Sequence, residues 1–409
     1  MNQETMPDSE TLPPLIGVAP LMRRGYAGEN LIPLGQVLLA RALENPLDAH
    51  AYLDFATVLL LTGNREHGLA VQAEAIKIQP LYSLPARGAA SGLHLLVLMG
   101  SGDFMANTPI EFLVEDSDVS LQLLYLLSDA DWPETVPDHD VMMVAVGESD
   151  ENQPLLQRLA LYVAGWPRPI INRPEGIAKL SRDSVGSVLQ GVPGIETPIS
   201  VRLGRADLQA LANREREISS VLPDGGFPII VRPLGSHAGA HLEKLATARD
   251  ITTYLEQVPD QGFYVSRFVD YRSGDGLFRK YRIVLIEGKP FICHFAVSEH
   301  WIIHYANAGM SASAEKREEE AHCMENFDTD FAVRHGSALR AIYERIGLAY
   351  FGIDCAETRT GKLLVFEVDN SMVVHALDPE EVFPYKKPAM KKVFSAFRQM
   401  LENARSRAE

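Results

Sequence analysis

Cysteine and long apolar runs are scarce in this chain, and each scarcity excludes a class of protein. The three cysteines among its 409 residues (Cys293, Cys323 and Cys355) are too few and too widely spaced for a disulfide framework or a cysteine metal site. No run of about 18 apolar residues is present, and the first residues are polar and acidic, unlike a signal peptide. The sequence therefore predicts a cytoplasmic protein with reduced thiols that does not enter a membrane.

Positive charge is also in deficit, with 38 Lys and Arg against 54 Asp and Glu, for a net charge of −16. Such a charge argues against nucleic acid or an anionic membrane as the main partner. An acidic protein that binds an anion needs a locally basic pocket, so clustered Arg, Lys and His residues become informative. The length predicts two or three domains of roughly 100–200 residues each.

Two segments near the C-terminus, residues 351–358 and 361–370, alternate apolar and polar side chains with the period of a half-buried strand. A tight turn between them would place Asp354 opposite Glu367, and the same period puts Asp369 on that face. Facing carboxylates repel unless something neutralises them, and their oxygens suit Mg²⁺. We interpret the three as a magnesium site; the alternative is a solvent-facing acidic hairpin.

The first half of the chain divides into three segments. Residues 1–30 are polar and rich in Pro and Gly, and we expect them to be mobile. Residues 31–88 have a helical pattern that resembles a tetratricopeptide repeat, with small residues at spacings where paired helices touch. One and a half repeats are too few to stand alone, which favours packing on the rest of the protein or a homodimer through these helices.

Residues 89–190 alternate between strand and helix patterns, which predicts a small parallel α/β domain. We expect strands at 94–101, 140–149 and 168–174, and helices at 118–127 and 152–166. From residue 191 to 409 the pattern becomes α+β. Strands are expected within 226–233, 262–271, 278–286 and 289–297, and helices at 246–257, 332–346 and 388–404. A charged stretch at 314–330 is expected to be a solvated loop or helix.

Five of these segments, in this order, resemble the ATP-grasp carboxylate–amine ligases. They are the linker around residues 171–198, the strand and glycine-rich loop PIIVRPLGSHAG, the strand YVSRFVDY, the pair KYRIVLIEGKPFICH, and GIDCAE with LLVFEVDN. The family includes glutathione synthetase, D-alanine–D-alanine ligase and the glutamate ligases that modify ribosomal proteins. The resemblance covers about residues 141–370 and implies an ATP-grasp fold: a parallel α/β domain of 89–190, then a two-lobed ATP-binding domain of 191–409.

The resemblance also implies roles for individual residues of this chain. ATP would be bound by the loop and hinge residues Arg232, Gly235, Ser236, His237, Gly239, Arg267 and Phe268. Mg²⁺ would be bound by Asp354, Glu367 and Asp369. Arg282 and Lys280, which alternate on one strand face, would lie at the transferred phosphoryl group or the substrate carboxylate.

The segment 294–310 is dense in aromatic and hydrogen-bonding residues, and we interpret it as a substrate pocket. Its members are His294, His304, Tyr305 and Asn307. His300 and His304 are four residues apart, but the apolar residues between them indicate a strand, so a helical zinc motif is not favoured.

The implied function is an ATP- and Mg²⁺-dependent ligase that joins a small carboxylate, or a peptide, to an amine. Three features depart from the family pattern: Arg232 replaces its usual lysine, the hinge has Ser266-Arg267 where relatives often have an acidic residue, and a second lysine common in the linker has no clear counterpart near residues 182–184. These departures favour the alternative of a non-catalytic nucleotide-binding scaffold or regulatory protein. A kinase that stops at a phosphorylated product would use the same nucleotide residues.

Overall fold

Three β-sheets and a group of N-terminal helices form the protein in the computed structural model, which describes residues 12–87, 92–236 and 239–407. Within those residues the α-helices are α1 (Val18–Tyr26), α2 (Ile32–Glu44), α3 (Ala49–Leu61), α4 (Arg65–Ile78), α5 (Ile110–Leu113), α6 (Gln153–Tyr162), α7 (Pro174–Ile177), α8 (Arg182–Leu189), α9 (Arg205–Ala212), α10 (Ala248–Gln257), α11 (Ala314–Asn326), α12 (Phe331–Arg334), α13 (Gly336–Ile346) and α14 (Lys386–Ser406). The strands of the same residues are β1 (Leu81–Leu84), β2 (Leu93–Met99), β3 (Val119–Tyr125), β4 (Val141–Val144), β5 (Ile170–Ile171), β6 (Ile195–Glu196), β7 (Ser200–Gly204), β8 (Ile229–Pro233), β9 (Glu243–Leu245), β10 (Gly262–Arg267), β11 (Phe278–Ile286), β12 (Lys289–Ser298), β13 (Tyr350–Glu357) and β14 (Leu363–Asp369). The predicted mixed α/β class is confirmed.

The helical pattern predicted for residues 31–80 is confirmed by α2, α3 and α4, with α3 packed against both of its neighbours. The close approach of α3 and α4 depends on Gly68, where a Cβ atom would lie 2.9 Å from the Leu60 Cγ atom. Ile32, Leu39 and Leu43 are exposed on one face of α2. The tetratricopeptide character of these helices and a homodimer formed through them stay predictions.

The expected mobility of residues 1–30 is wrong for the part that precedes α2. Residues 18–26 form helix α1, whose Leu21 is fully buried. The Pro and Gly content suggested mobility, but the apolar residues of α1 pack in two hydrophobic clusters and hold the helix in place. Residues 1–11 lie outside the described residues, and so does the predicted domain boundary at 88/89.

The first sheet has the strand order β1-β3-β2-β4-β5, with β2 to β5 parallel and β1 antiparallel to β3. The parallel domain is therefore formed as predicted, but the helix predicted at 118–127 is wrong, because these residues form β3. Leu121 and Leu123 pack in one core and Leu124 and Leu126 in another. A strand buried on both faces gives a continuous apolar run, which periodicity does not separate from a helix.

The second sheet is antiparallel with the order β7-β10-β8-β9, and only one of its faces is covered by helices. Val231 and Val265 lie on the covered face and share a hydrophobic cluster with residues of α9 and α10. Because side chains alternate along a strand, Arg232, Tyr264 and Ser266 lie on the open face.

The third sheet has the order β12-β11-β13-β14-β6, in which only the β14–β6 pair is parallel. Its covered face carries Tyr281, Ile283 and Ile353, which pack against α11, α12 and α13 in one large core. The structure confirms the strands predicted for this half of the chain, the helix predicted at 246–257 (α10) and the final helix predicted at 388–404 (α14). The charged stretch 314–330 is helical through Asn326. The opposite face of this sheet is directed toward the open face of the second sheet.

Among the described residues, no helix combines the length and the apolar character that crossing a lipid bilayer requires.

Two enclosed carboxylates hold the chain at the start of α1. Asp54, which is 1% exposed, accepts hydrogen bonds from the backbone N–H groups of Ile16 (2.8 Å) and Gly17 (3.0 Å). Glu111 accepts one from the N–H of Ala19 (3.0 Å). Burial raises the pKa of Asp54 to about 6 and that of Glu111 to about 7. The N-terminal helix is therefore anchored by groups whose charge is costly at neutral pH.

We expect the stability difference between the wild type and Glu111→Gln to depend on pH. An acid whose pKa is raised on folding stabilises the protein fully below its unfolded pKa of about 4.3, and this contribution is lost as the pH rises through the folded value of about 7. Urea unfolding between about pH 5 and pH 8 should therefore show a steeper loss of stability with rising pH in the wild type than in Glu111→Gln. The matched control is Glu44→Gln, at an exposed position of α2. Parallel pH profiles for the wild type and Glu111→Gln would contradict this account.

Candidate active site

A row of polar side chains crosses four strands on the open face of the third sheet. The register places His294 opposite Arg282, Arg282 opposite Asp354, and Asp354 opposite Glu367. The pairing of Asp354 with Glu367 is the one predicted from the turn between their strands. Lys280 and Asp369 lie two residues along their strands and share this face.

Arg282 and Lys280 neutralise Asp354. The Nε and Nη2 atoms of Arg282 lie 2.8 and 3.0 Å from the two carboxylate oxygens of Asp354, and Lys280 Nζ lies 2.6 Å from its Oδ2. Asp354 is 2% exposed, and although burial opposes its charge, the two cations hold its pKa well below the ordinary value. The remaining Nη1 of Arg282 donates to the carbonyl of Val373 at 3.2 Å.

Glu367 and Asp369 occupy a different electrostatic environment. Glu367 forms an ion pair with Arg182 at the start of α8, which holds the pKa of Glu367 below its ordinary value against the effect of burial. Burial and the charge of Glu367 raise the pKa of Asp369 to about 6. Asp369 accepts hydrogen bonds from the N–H (2.8 Å) and hydroxyl (2.9 Å) of Ser371. The two carboxylates repel each other, and a cation bound between them would relieve that repulsion.

The predicted set of three magnesium ligands is not gathered around one point. In the described part of the chain, no three His, Cys, Asp or Glu side chains converge closely enough to hold a metal ion. Asp354 is the member that departs, because both of its oxygens are bound by Arg282 and Lys280. Glu367 and Asp369 keep the hard oxygen donors that suit Mg²⁺.

The glycine-rich loop after β8 places a cation in the cleft without a carboxylate partner. Arg232 donates from Nε to the Ser236 hydroxyl at 3.2 Å and from Nη2 to the Ser236 carbonyl. Among the described residues, no carboxylate forms an ion pair with Arg232. Burial and the neighbouring Arg182 lower the pKa of Arg232 to about 10. Of the other predicted loop residues, Gly235 has a φ of +68°, and His237 lies outside the described residues.

The loop also touches the segment predicted as a substrate pocket. A Cβ atom on Gly239 (φ +70°) would lie 2.3 Å from the Nε2 atom of His304, so the close contact requires glycine. His304 is held in turn by Asn307, whose side-chain oxygen accepts the His304 N–H at 2.9 Å. His304 therefore lies between the loop and the polar row, whereas Asn307 positions it.

The other two predicted pocket residues differ in what they offer. The His294 Nδ1 atom is buried without a hydrogen-bond partner among the described residues, and burial lowers the pKa of His294 well below its ordinary value. The Tyr305 ring lies 4.8 Å from the His294 ring at an interplanar angle of 41°, but its hydroxyl donates to Glu320 at 2.8 Å and also contacts Lys386. The hydroxyl of Tyr305 is thus committed to a buried ionic network, and only its ring faces His294.

The predicted hinge contributes one of its two residues to the cleft. Arg267 forms ion pairs with Glu196 and with Asp224, the latter at 2.9 Å, and these bonds occupy its guanidinium. Its role in ATP binding stays a prediction. The Phe268 ring lies edge-on to Trp301 at 5.5 Å and 4.4 Å from Lys244 Nζ.

Sequence reasoning missed two cations of the cleft. Arg182 begins α8, where a positive charge opposes the helix dipole, and this unfavourable position was a usable signal. Lys244 lies on β9, opposite Ile230, so it shares the open face with Arg232. No local pattern indicated Lys244, because β9 is only three residues long.

Neither family models nor curated protein sequences match this chain. Solved structures do match in fold. D-Alanine–D-alanine ligase from Bacillus anthracis complexed with ATP is 15% identical, with a TM-score of 0.45, over 77% of this chain and 98% of that one. The VanG D-Ala:D-Ser ligase from Enterococcus faecalis is 13% identical, with a TM-score of 0.45, over 76% and 99%. The RimK domain protein ATP-grasp from Sphaerobacter thermophilus is 14% identical, with a TM-score of 0.42, over 75% and 99%. At these values the similarity concerns the fold, and the case for a function depends on the residues of the cleft.

Proposed function

We propose that the cleft binds ATP and uses it to join a carboxylate to an amine through an amide bond. The observation that carries this proposal is Arg232, a half-buried guanidinium with no carboxylate partner among the described residues and with Arg182 as a close positive neighbour. Burying like charges together is unfavourable unless an anion is bound. Lys280 and Arg282 on the facing sheet extend the positive field across the cleft. A polyphosphate matches such an arrangement.

The end of the cleft near the hinge supports a nucleotide rather than a free polyphosphate. Phe268 and Trp301 form an aromatic pair beside Lys244, next to the open face of the second sheet. Aromatic side chains stack on nucleobases by about 1–3 kcal/mol per base. In the loop, Gly235 and Gly239 have positive φ values, a backbone conformation in which N–H groups can be directed at an anion. In this proposal the aromatic pair would contact the base, and the loop and the cations would contact the phosphates.

The reaction that we propose has two steps. A carboxylate oxygen of the first substrate attacks the γ-phosphorus of ATP, the bond to the β,γ-bridging oxygen breaks, and ADP leaves. The amine of the second substrate then attacks the acyl carbon, inorganic phosphate leaves, and the amine loses a proton. Both steps gather negative charge, which Arg232, Lys280 and Arg282 would stabilise as fixed cations.

The remaining site residues have supporting roles in this proposal. Glu367 and Asp369 would hold Mg²⁺, which when bound neutralises phosphate charge. His304, between the loop and the row, would contact the transferred group. His294, whose Nδ1 atom has no hydrogen-bond partner among the described residues, would offer a ring nitrogen for a hydrogen bond to a substrate.

A non-catalytic nucleotide-binding protein is the second candidate, and it is favoured by Asp354. Its pairing with Arg282 and Lys280 removes one carboxylate from the predicted metal set and commits two cations that the chemistry needs. Both candidate functions include nucleotide binding, and they differ in whether bound ATP is converted to ADP.

Calorimetric titration with ATP and with ADP, in Mg²⁺ and again in EDTA, tests the proposal. We expect micromolar binding that weakens in EDTA, followed by ADP release in the presence of matching carboxylate and amine pairs. Amide product separates a ligase from a kinase, which would leave a phosphorylated compound. Binding without ADP release from any pair would favour the scaffold, and the absence of binding would refute both accounts.

A further inference from the structure

The first sheet places a crevice at the carboxyl end of β2. The chain runs from β2 to β3 on one side and then to β4 on the other side of β2. Connections that leave in opposite directions open a crevice at that end of the central strand, where open α/β sheets bind their ligands. The loop that follows β2 begins at Gly100 and continues to α5.

A cavity of about 70 Å³ lies at this point, between the loop and the N-terminal helices. Its walls are mainly apolar and come from α1, α3, β2 and the loop with α5; they include Val18, Met22, Leu53, Met99, Phe104 and Phe112. A single water needs only about 10–15 Å³ of such volume, so the cavity is larger than one water.

Most of the polar side chains at the cavity are bound by the protein, and these include Thr57, Asp103, Thr108 and Glu111. Gln72 exchanges two hydrogen bonds with the backbone of Gly102, at 3.0 and 2.8 Å. Asn107 does the same with the backbone of Gly100, at 2.8 Å each. The rest of the lining is mainly apolar. An apolar occupant would therefore bury more apolar surface in this cavity than a water molecule would.

The cavity and the polar row share one residue. Val373 lines the cavity, and its carbonyl accepts a hydrogen bond from Arg282. Phe112, also in the wall, lies 6.0 Å from the ring of His375, which is 5.9 Å from the ring of His294. One layer of residues thus separates the cavity from the cationic row. On the opposite side, α1 is held against the cavity by Asp54 and Glu111.

We propose that this cavity is a binding site for a small hydrocarbon group, such as a branched aliphatic chain. The N-terminal helices are then one wall of a ligand site, a role that does not depend on the predicted homodimer. The group belongs either to a substrate held at the cationic row or to a separate small ligand. The inference is independent of nucleotide binding and remains valid if the proposed function fails.

Xenon, a small apolar probe, tests the site directly by NMR titration of the full chain. We expect saturable binding in the wild type and a loss of at least about tenfold in Val18→Phe, which fills the cavity from α1. Met99→Phe fills the cavity from β2 and should cause the same loss of xenon affinity, so it provides the test if Val18→Phe does not fold. Phe104→Ala enlarges the cavity and should retain binding. The control is Leu161→Phe, at an exposed position of α6.

The two sources of the group are separated by adding 3-methylbutanoate, a small carboxylate with a branched chain. Displacement of xenon by this acid indicates a substrate that spans the cavity and the row, whereas retention of xenon indicates a separate ligand. Absence of saturable xenon binding in the wild type would overturn the inference. So would equal xenon affinity in the wild type and in a folded filling variant.

Discussion

Replacement of Arg232 by alanine should weaken Mg–ATP binding by about 10–100-fold. A hydrogen bond to a charged group contributes about 1.5–3 kcal/mol, and each 1.4 kcal/mol is a factor of ten in affinity. Among the described residues, Arg232 and Lys244 are cations of the cleft that form no ion pair with a carboxylate, so the charge of Arg232 is available to a bound anion. Calorimetric titration of ATP into the wild type and Arg232→Ala provides the measurement.

Two further variants separate the effect of charge from that of loop structure. Arg232→Lys keeps the charge but loses the planar fork that contacts Ser236, and it should keep most of the affinity if charge dominates. Arg216→Ala is the matched control, since Arg216 forms a surface ion pair with Asp207 in the same lobe. Unchanged ATP affinity in Arg232→Ala would remove the main support for the nucleotide site.

The cleft is built from two sheets whose charges differ in how they are balanced. On the third sheet, the positive charges of Lys280 and Arg282 meet Asp354, so this row is ordered before any ligand arrives. On the second sheet, the hydrogen bonds of the Arg232 guanidinium among the described residues go to Ser236 of its own loop. An anion that enters between the sheets would offset the repulsion between Arg232 and Arg182, while the row on the third sheet stays in place. Preorganised charge of this kind is what catalysis of phosphoryl transfer requires.

The part of the site that the sequence predicts is the part encoded by local geometry. The opposition of Asp354 and Glu367 is the one predicted from a symmetric turn, but the turn end pairs Glu357 with Leu363, one residue out of that register, and the bulge between Asp354 and Cys355 restores the predicted pairing. The partners of these carboxylates come from far along the chain: Arg282 is 72 residues from Asp354, and Arg182 is 185 residues from Glu367. Local patterns carry no information about such pairs, so the ion pairs of Asp354 with Arg282 and Lys280 were not visible, and its role as a metal ligand stays a prediction.

The errors in the fold have a similar origin. Strand β3 was predicted as a helix because burial on both faces removes the alternation that identifies a strand. The content of Pro, Gly and polar residues in positions 1–30 indicated mobility. Asp54 and Glu111, which come from elsewhere in the fold, nevertheless anchor the start of α1. In both cases tertiary contacts outweighed the local preference.

Loss of the Arg282 side chain should be among the most destabilising single changes in the protein. In Arg282→Met, Asp354 stays 2% exposed and keeps only Lys280 as a neutralising partner. Removing one partner of a buried ion pair costs about 3–5 kcal/mol, and because Lys280 remains we expect a value near the lower end, about 3 kcal/mol. Urea unfolding of both proteins provides the measurement. Arg398→Met, which breaks the more exposed pair with Asp118, should cost less than about 1 kcal/mol.

A second substitution distinguishes a lost ion pair from a lost packing contact. If the cost of Arg282→Met comes from an uncompensated charge, then Asp354→Leu added to Arg282→Met should recover part of the stability, because the buried charge is gone. If the cost comes from packing, the double variant should be less stable than either single one. The folded pKa of Asp354 is lowered, so the pair contributes above its unfolded pKa of about 3.9 and is lost as the pH falls below it. The loss of stability caused by Arg282→Met should therefore be the same from about pH 5 to pH 8, as far as Asp354 determines it. A loss that changed with a titration of Asp354 in this range would show that Arg282 and Lys280 do not keep the carboxylate charged.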